Sequence, residues 1–253
     1  MVIFIYDKTF EGLLTVIFDA YFRKKFPDML LADKESLPLF YDEIVTVISD
    51  EEKASRVWKA LQKKLSKTAL TFLSVSWLSE DPQIDMLLFR YIRKVIDSPH
   101  SIEMNFGDPD ILELSKTWKK VQRESSYIRQ FLRFQKTADD TYFACVEPLY
   151  NALPLVTNFL KNRFHDQKWL IYDIKRNYGY YYDTVDITEV MLDNIQWEDG
   201  KLKENIMSHD EKMFQQLWQQ YFKSITIKER INPKLQRQHM PVRFWKYLTE
   251  KQK

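Results

Sequence analysis

Positions 111, 114, 118, 121, 125, 128 and 132 alternate steps of three and four, and all but Ser125 are apolar: Ile111, Leu114, Trp118, Val121, Ile128 and Leu132. That spacing predicts a long amphipathic helix beginning at Asp108 or Asp110, just after the loop marked by Pro99 and Gly107. Immediately beyond it the period shortens. Phe131 to Gln135 and Thr141 to Val146 read as strands around the turn Ala138-Asp139-Asp140. A chain that switches from helical to extended periodicity, with more helix on one side of the switch and more strand on the other, belongs with the α+β folds.

The segments before the switch are mainly helical. Met1 to Tyr6 is a short run of bulky strand formers, and a helix capped by Thr9 carries Leu13, Leu14, Ile17, Phe18, Tyr21 and Phe22 on one face until Pro27. Glu43 to Ser49 reads as a second strand, and Asp50 caps a helix whose Ala54, Val57, Trp58, Leu61 and Leu65 share a face. Two more helices are expected between Thr68 and Asp97, parted near Asp81-Pro82.

After the switch, a helix from about Leu153 to Phe164 precedes the strand Trp169-Leu170-Ile171-Tyr172-Asp173. Lys175 to Gly179 then turns into Tyr180-Tyr181-Tyr182, which completes a second hairpin. The stretch Asp183 to Asp199 is strongly acidic and reads either as a solvated connection or as a segment facing one of the basic surfaces, and a last helix near His209 to Phe222 leads into the tail. The expected architecture is helix-rich, with a mixed or antiparallel sheet built largely from the two hairpins. The opening strand is available to the same sheet. Residues 1–253 form one domain or two packed subdomains, 1–107 mainly helical and 108–253 α+β with a basic tail.

Composition excludes several classes. Hydrophobic residues make up 45% and aromatics 15%, so the chain can bury a substantial core. Lys and Arg outnumber Asp and Glu by only 38 to 36, so any attraction to nucleic acid must come from local clustering. Cys145 is the single cysteine, which excludes an internal disulfide and a cysteine-ligated cluster and fits a reducing cytoplasm. It sits between Ala144 and Val146 in a strand, as a small buried hydrophobe does. Four glycines are too few for a P-loop or a dinucleotide fingerprint. The four histidines are scattered, so no metal and no cofactor is called for. Val2 to Tyr6 is too short for a signal peptide, and no run approaches the roughly 20 apolar residues of a membrane span.

The functional signal is one of partnership. From Lys223 to Lys246 there are seven Lys or Arg against one acid, Glu229. Within this tail Lys234, Arg237, His239, Arg243, Trp245 and Lys246 combine cations, a ring and a hydrogen-bonding imidazole, the mixture that holds phosphates and stacks on bases. Lys175, Arg176 and Tyr178 present the same mixture at a hairpin tip, and Lys116, Lys119, Lys120 and Arg123 line the polar face of the long helix.

Several blocks together resemble an uncharacterised bacterial family labelled "probable DNA metabolism protein". They are Tyr6-Asp7 with Thr9 to Leu14, Phe131 to Phe134, Glu147-Pro148 with Leu153-Pro154-Leu155, Gln167 to Asp173 with Lys175-Arg176 and Tyr178-Gly179, and the terminal block. The resemblance implies a companion of a radical S-adenosylmethionine protein, and similar domains occur fused to uracil-DNA-glycosylase-like domains. The chain departs from the family pattern at Ser125-Ser126 and at Leu149-Tyr150, where a His and an Asp-His or Asp-Tyr pair are usual, and this counts against a histidine-based site.

Three functions follow. The first is a nucleic-acid-binding accessory protein, for DNA in particular, acting in repair or base modification with the radical S-adenosylmethionine partner. The second is an enzyme acting on a nucleotide or damaged base, with Glu11, Glu147 and Asp173, the acids of the family-like blocks, as acid/base groups. The third is a structural companion that docks on a protein and never touches nucleic acid.

Overall fold

The run Val2 to Tyr6 has almost no polar side chain to offer solvent, and it becomes the middle strand of a parallel sheet. The computed structural model describes residues 1–103, 105–192, 197–198, 201–203 and 205–251. Its chain divides into two units, Met1–Val121 and Gln122–Lys253. The class is α+β.

In the first unit, strand β1 (Val2–Tyr6) is followed by helix α1 (Phe10–Arg23), β2 (Met29–Ala32), β3 (Glu43–Thr46), α2 (Glu51–Lys64), α3 (Lys67–Trp77) and α4 (Ile84–Asp97). The sheet runs β2-β1-β3, with Ile3 opposite Met29 and Ile44. Ile3, Phe4 and Tyr6 are fully buried, and Leu13, Ile17, Leu61, Leu88 and Ile92 extend the same core. Helix starts are set by side chains that take up otherwise orphaned amide groups. Thr9 accepts from the Gly12 amide at 2.9 Å, Asp50 from Lys53 at 3.0 Å and Ser66 from Ala69 at 3.2 Å.

One knot ties the carboxyl ends of β1 and β3 to α1. Asp7 Oδ1 accepts from the Thr9 amide at 3.0 Å and the Thr9 hydroxyl at 2.7 Å, while its Oδ2 accepts from Ser49 Oγ at 2.6 Å. The knot needs Gly12, because a Cβ there would lie 2.2 Å from Asp7 Oδ1 and 2.7 Å from Ser49 Oγ.

Helix α5 (Pro109–Phe131) runs from the first unit into the second. Its end falls where the sequence reads both ways, since the helical stripe runs to Leu132 while Phe131 to Gln135 reads as a strand. Phe131 is its last residue, the Leu132 amide still donates to Ile128 O at 2.9 Å, and Arg133 Nη1 donates to Leu132 O at 3.0 Å. A cation on the last carbonyls favours helix over the strand expected from Phe131 onward.

The second unit holds β4 (Gln135–Lys136), β5 (Tyr142–Val146), α6 (Thr157–Arg163), β6 (Trp169–Asp173), β7 (Tyr178–Tyr182) and β8 (Ile187–Val190). They form a sheet in sequence order in which β5 and β6 are parallel and the other neighbours antiparallel. A second small pairing joins β9 (Trp197–Glu198) to β10 (Lys201–Leu202). Helices α7 (Glu211–Ile225) and α8 (Pro233–His239) and a 3-10 stretch, Val242–Tyr247, complete the unit.

Alternation along the central strands builds two cores. Val146, Trp169 and Ile171 face one way, onto Ile128, Leu153 and Leu160. Phe143, Cys145 and Tyr172 face the other, onto Leu202 and Tyr247. Gly179 in β7 lies opposite Tyr172, and a Cβ there would come within 2.4 Å of Ile171 O and 2.7 Å of the Tyr172 ring. This glycine therefore admits the neighbouring strand's ring, and it sits in the strand beyond the hairpin tip.

Three differences from the sequence reading are physical. The opening strand pairs with β2 and β3 and stays out of the hairpin sheet. Strand β2 was hidden because four residues beginning at an edge offer no alternation to read. Strand β8 lies inside the acidic stretch, where charge masked extended backbone; residues 193–196 and 199 of that stretch lie outside the described residues.

Alanine ordinarily favours a helix over glycine by about 1 kcal/mol. At Gly12 the contact with Asp7 and Ser49 reverses the sign, so Gly12→Ala is expected to destabilise the chain by about 1–3 kcal/mol in urea unfolding. An unchanged or raised midpoint would show that the knot gives way freely.

Candidate nucleic-acid interface

Because β5 and β6 are parallel and Val146 pairs with Asp173, both strands end at the same edge of the sheet. Glu147 leaves β5 there and Asp173 closes β6. Asp173 is fully buried, and its Oδ1 accepts from the amides of Lys175 at 2.9 Å and Arg176 at 3.2 Å. Its Oδ2 accepts from Arg176 Nη1 at 2.8 Å. Burial pushes this carboxyl up from its ordinary value while Arg176 pulls it down. Asn177, at φ 55°, completes the turn.

Arg176 also donates from Nη1 to Pro148 O at 3.2 Å and from Nη2 to Leu149 O at 3.3 Å, and only 10% of its side chain is exposed. Buried Glu124 holds the same loop from the other direction. Its Oε1 accepts from the Leu149 amide at 2.9 Å, and its Oε2 pairs with Arg243. The Tyr178 hydroxyl bonds Asn151 Oδ1. Glu147 pairs with Lys246 and accepts from the Tyr247 hydroxyl at 3.1 Å; the Lys246 contact holds its carboxyl below the usual value.

Of the residues that the sequence singles out, Arg176, Arg243 and Lys246 thus face carboxylates of the fold itself. Tyr178 is tied to the loop, and Trp245 donates from Nε1 to Met240 O at 3.0 Å with Lys251 Nζ 4.8 Å from its ring centre. Lys175, Lys234, Arg237 and His239 are exposed. Among the acids, Glu147 and Asp173 stand at neighbouring strand ends, each engaged by a cation, whereas Glu11 is exposed in the first turn of α1 in the other unit. Burial pushes the Cys145 thiol well up, as suits packing and not nucleophilic attack. Among the described residues no three His, Cys, Asp or Glu side chains gather to hold a metal ion. No helix among them is long and apolar enough to cross a membrane.

An exposed apolar face of this unit lies on α7, and its amphipathicity is inverted. Its inward side is polar: Glu211 Oε2 accepts from the Lys136 amide at 2.9 Å, Gln215 donates to Glu211 Oε1 at 2.9 Å, and Gln219 donates to Thr249 O at 2.9 Å. Met213, Phe214, Leu217, Trp218, Tyr221 and Ile225 are exposed. Ile227, Ile231 and Leu235 continue the apolar surface toward α8, whose start is capped by Asn232 accepting from the Leu235 amide at 3.0 Å.

Trp218 is a fixed ring. Its Nε1 donates to Glu250 Oε2 at 2.9 Å, Arg133 lies 5.8 Å from its centre, and 40% of the residue remains exposed. Tyr221 stands 5.8 Å away at 37°. Along α7 and after it Lys223, Lys228, Arg230, Lys234 and Arg237 are exposed, with Glu229 the only acid from Lys212 to His239. Sequence periodicity could not reveal this face, because apolar residues at helical spacing ordinarily point inward. The glutamines at 215 and 219, on the opposite side, were the available clue.

A two-unit α+β chain that exposes rings on α7 and cations along and after it is the class that these observations define. Its family is shown directly: the model of DUF4130, a domain of unknown function, matches residues 82–250, and the chain belongs to that family. No curated protein matches the chain. Among solved structures, the pGpG-specific phosphodiesterase PggH from Vibrio cholerae is similar at 9% identity, covering 89% of this chain and 100% of that one, with a TM-score of 0.34. At that level the likeness fixes neither architecture nor activity.

Two predictions concern the ion pairs. Arg243→Met leaves the Glu124 carboxylate buried without its cation and is expected to destabilise by about 2–4 kcal/mol, whereas Arg237→Met stays within about 0.5 kcal/mol. Comparable losses for both would contradict the division between structural and free cations. The second concerns pH. Glu147 and Glu250 are both held below the ordinary glutamate value of 4.5, Glu147 chiefly by Lys246, and Glu250, against the opposing effect of burial, by Arg133 and Trp218. Carboxylates lowered in the folded state contribute stability that is present above 4.5 and lost as pH falls through their folded values. Urea midpoints should therefore fall below that pH, and Glu250→Gln should flatten the fall.

Proposed function

We propose that this protein is a nucleic-acid-binding accessory protein, for DNA in particular, and that it binds single strands through the surface of α7 and α8. The observation that carries the reading is the inverted helix α7, whose exposed Phe214, Trp218 and Tyr221 are followed along the chain by exposed cations that no ion pair engages among the described residues: Lys223, Lys228, Arg230, Lys234 and Arg237. Rings at fixed spacing accept successive bases whatever their sequence, and cations alongside them track the phosphates. His239, exposed at the end of α8, can extend the phosphate contacts. Arg176, Arg243 and Lys246 act in this reading as positioning groups that keep the sheet edge and the tail in place. The resemblance to the DNA-metabolism family supports a role in repair or base modification beside a radical S-adenosylmethionine protein.

A second reading rests on a different part of the same surface. Met213, Leu217, Ile225, Ile227, Ile231 and Leu235 are aliphatic and exposed, which suits docking on another protein, the companion itself included. The enzymatic reading has less support, because Asp173 and Glu147 already carry cation partners and Glu11 belongs to the other unit.

Fluorescence anisotropy with a labelled single-stranded oligonucleotide tests the proposal. If four of the five cations meet phosphates, log Kd against log salt should have a slope of magnitude about 3. Charge reversal at Lys228, Arg230, Lys234 and Arg237 should abolish binding, and Phe214→Ala or Tyr221→Ala should weaken it about 5- to 100-fold. No binding at low salt, or binding indifferent to the reversals, would leave protein docking as the use of this face.

A further inference from the structure

In the first unit, α3, α4 and α5 enclose a cavity of about 340 Å³ that the nucleic-acid reading does not use. Its walls are aromatic: Phe72, Tyr91, Phe106 and Trp118, with Phe72 6.1 Å from Tyr91 at 60° and 6.2 Å from Trp118 at 45°. Trp118 belongs to the apolar stripe of α5, yet it departs from its neighbours. Ile111, Leu114 and Val121 are fully packed, while Trp118 keeps part of its ring in the cavity. Its Nε1 is buried and finds no hydrogen-bond acceptor. Buried donors without a partner are uncommon in folded chains, and of the two tryptophans with such a donor here, Trp118 and Trp169, it is Trp118 that lines this cavity, where a ligand can bring the acceptor.

The remaining lining narrows the ligand. Ser115 and Tyr91 add hydroxyl groups, and burial, with Glu103 nearby, pushes the Tyr91 phenol up to about 12, so it remains a donor at neutral pH. Glu103 is the one acid in the lining, and both its oxygens are taken by Ser66, from the amide at 2.6 Å and the hydroxyl at 2.8 Å. An aromatic cage for a quaternary ammonium group would want that carboxylate free. Lys119 stands exposed at the cavity, with Lys120 beside it on α5, so the charge at hand favours an anion.

We propose that this cavity binds one nucleobase, clasped between Phe72, Phe106 and Trp118, with a ring nitrogen or carbonyl accepting from Trp118 Nε1 and the nucleotide's phosphate reaching Lys119. Space of this size, apolar walls and a few convergent polar groups are the ordinary makings of a small-ligand site. The site is independent of the α7 and α8 surface, and the two proposals fail separately.

Calorimetric titration of the full chain with nucleosides and 5′-monophosphates of each base tests it. At least one base should bind with one site per chain. Trp118→Phe, which keeps a ring and deletes the donor, should weaken that binding about 5- to 50-fold while circular dichroism and the urea midpoint confirm folding. Lys119→Ala should weaken the monophosphate and spare the nucleoside. Charge reversal on α8 should leave both unchanged. Absence of binding at millimolar concentration, equal affinity in folded Trp118→Phe, or equal binding of toluene, which offers no acceptor, would overturn the proposal.

Discussion

A fully buried carboxylate at the end of β6 sets the terms for the second unit. Asp173 has no access to water, so its charge has to be met by donors from the chain, and two amides and the Arg176 guanidinium meet it. That requirement fixes the hairpin turn. It also fixes Arg176, whose remaining donors then hold the carbonyls of Pro148 and Leu149. Glu124 repeats the arrangement with the opposite polarity, holding the Leu149 amide with one oxygen and Arg243 with the other. The loop after β5 and the terminal 3-10 stretch are thereby fastened to one sheet edge by buried charge, with Phe244, Tyr247 and Leu248 packed behind them.

The consequence for function is a separation between two kinds of cation. Arg176, Arg243 and Lys246 lie next to carboxylates of their own fold, so the local field around them is close to neutral. The cations from Lys223 to Arg237 have a single acid in their segment and are exposed. Attraction for a polyanion depends on the second kind. The inversion of α7 follows from the demands of backbone groups in the same unit. Its Glu211 serves the Lys136 amide and its Gln219 the Thr249 carbonyl, so the apolar side is left outward.

Much of the architecture was legible in the sequence because it rests on local rules. Thr9 and Asp50 cap helices through short contacts within their own segments, and Trp169 to Asp173 is a short apolar run that reads as a strand. What the sequence concealed depends on distant partners. Nothing local tells Arg243 that Glu124 awaits it 119 residues away, or Lys246 that Glu147 does 99 residues away. Tail cations that look free in sequence are therefore indistinguishable from those that pair. The face of α7 was concealed for the reverse reason, since its periodicity is that of a core helix and only its inward glutamines betray the outward turn. Gly179 belongs with these: next to a turn it suggests ligand approach, while its role is to admit Tyr172 across the sheet.

The contact proposed for nucleic acid runs along residues 211–239 and leaves the charged sheet edge alone. Hydrogen exchange read by mass spectrometry, with and without a single-stranded oligonucleotide, tests it most directly. The account predicts slowed exchange across α7 and α8, with little change in the peptides carrying Glu147 to Asn151, Asp173 to Tyr178 and Arg243 to Tyr247. Protection confined to those three peptides, with residues 211–239 unaffected, would contradict it.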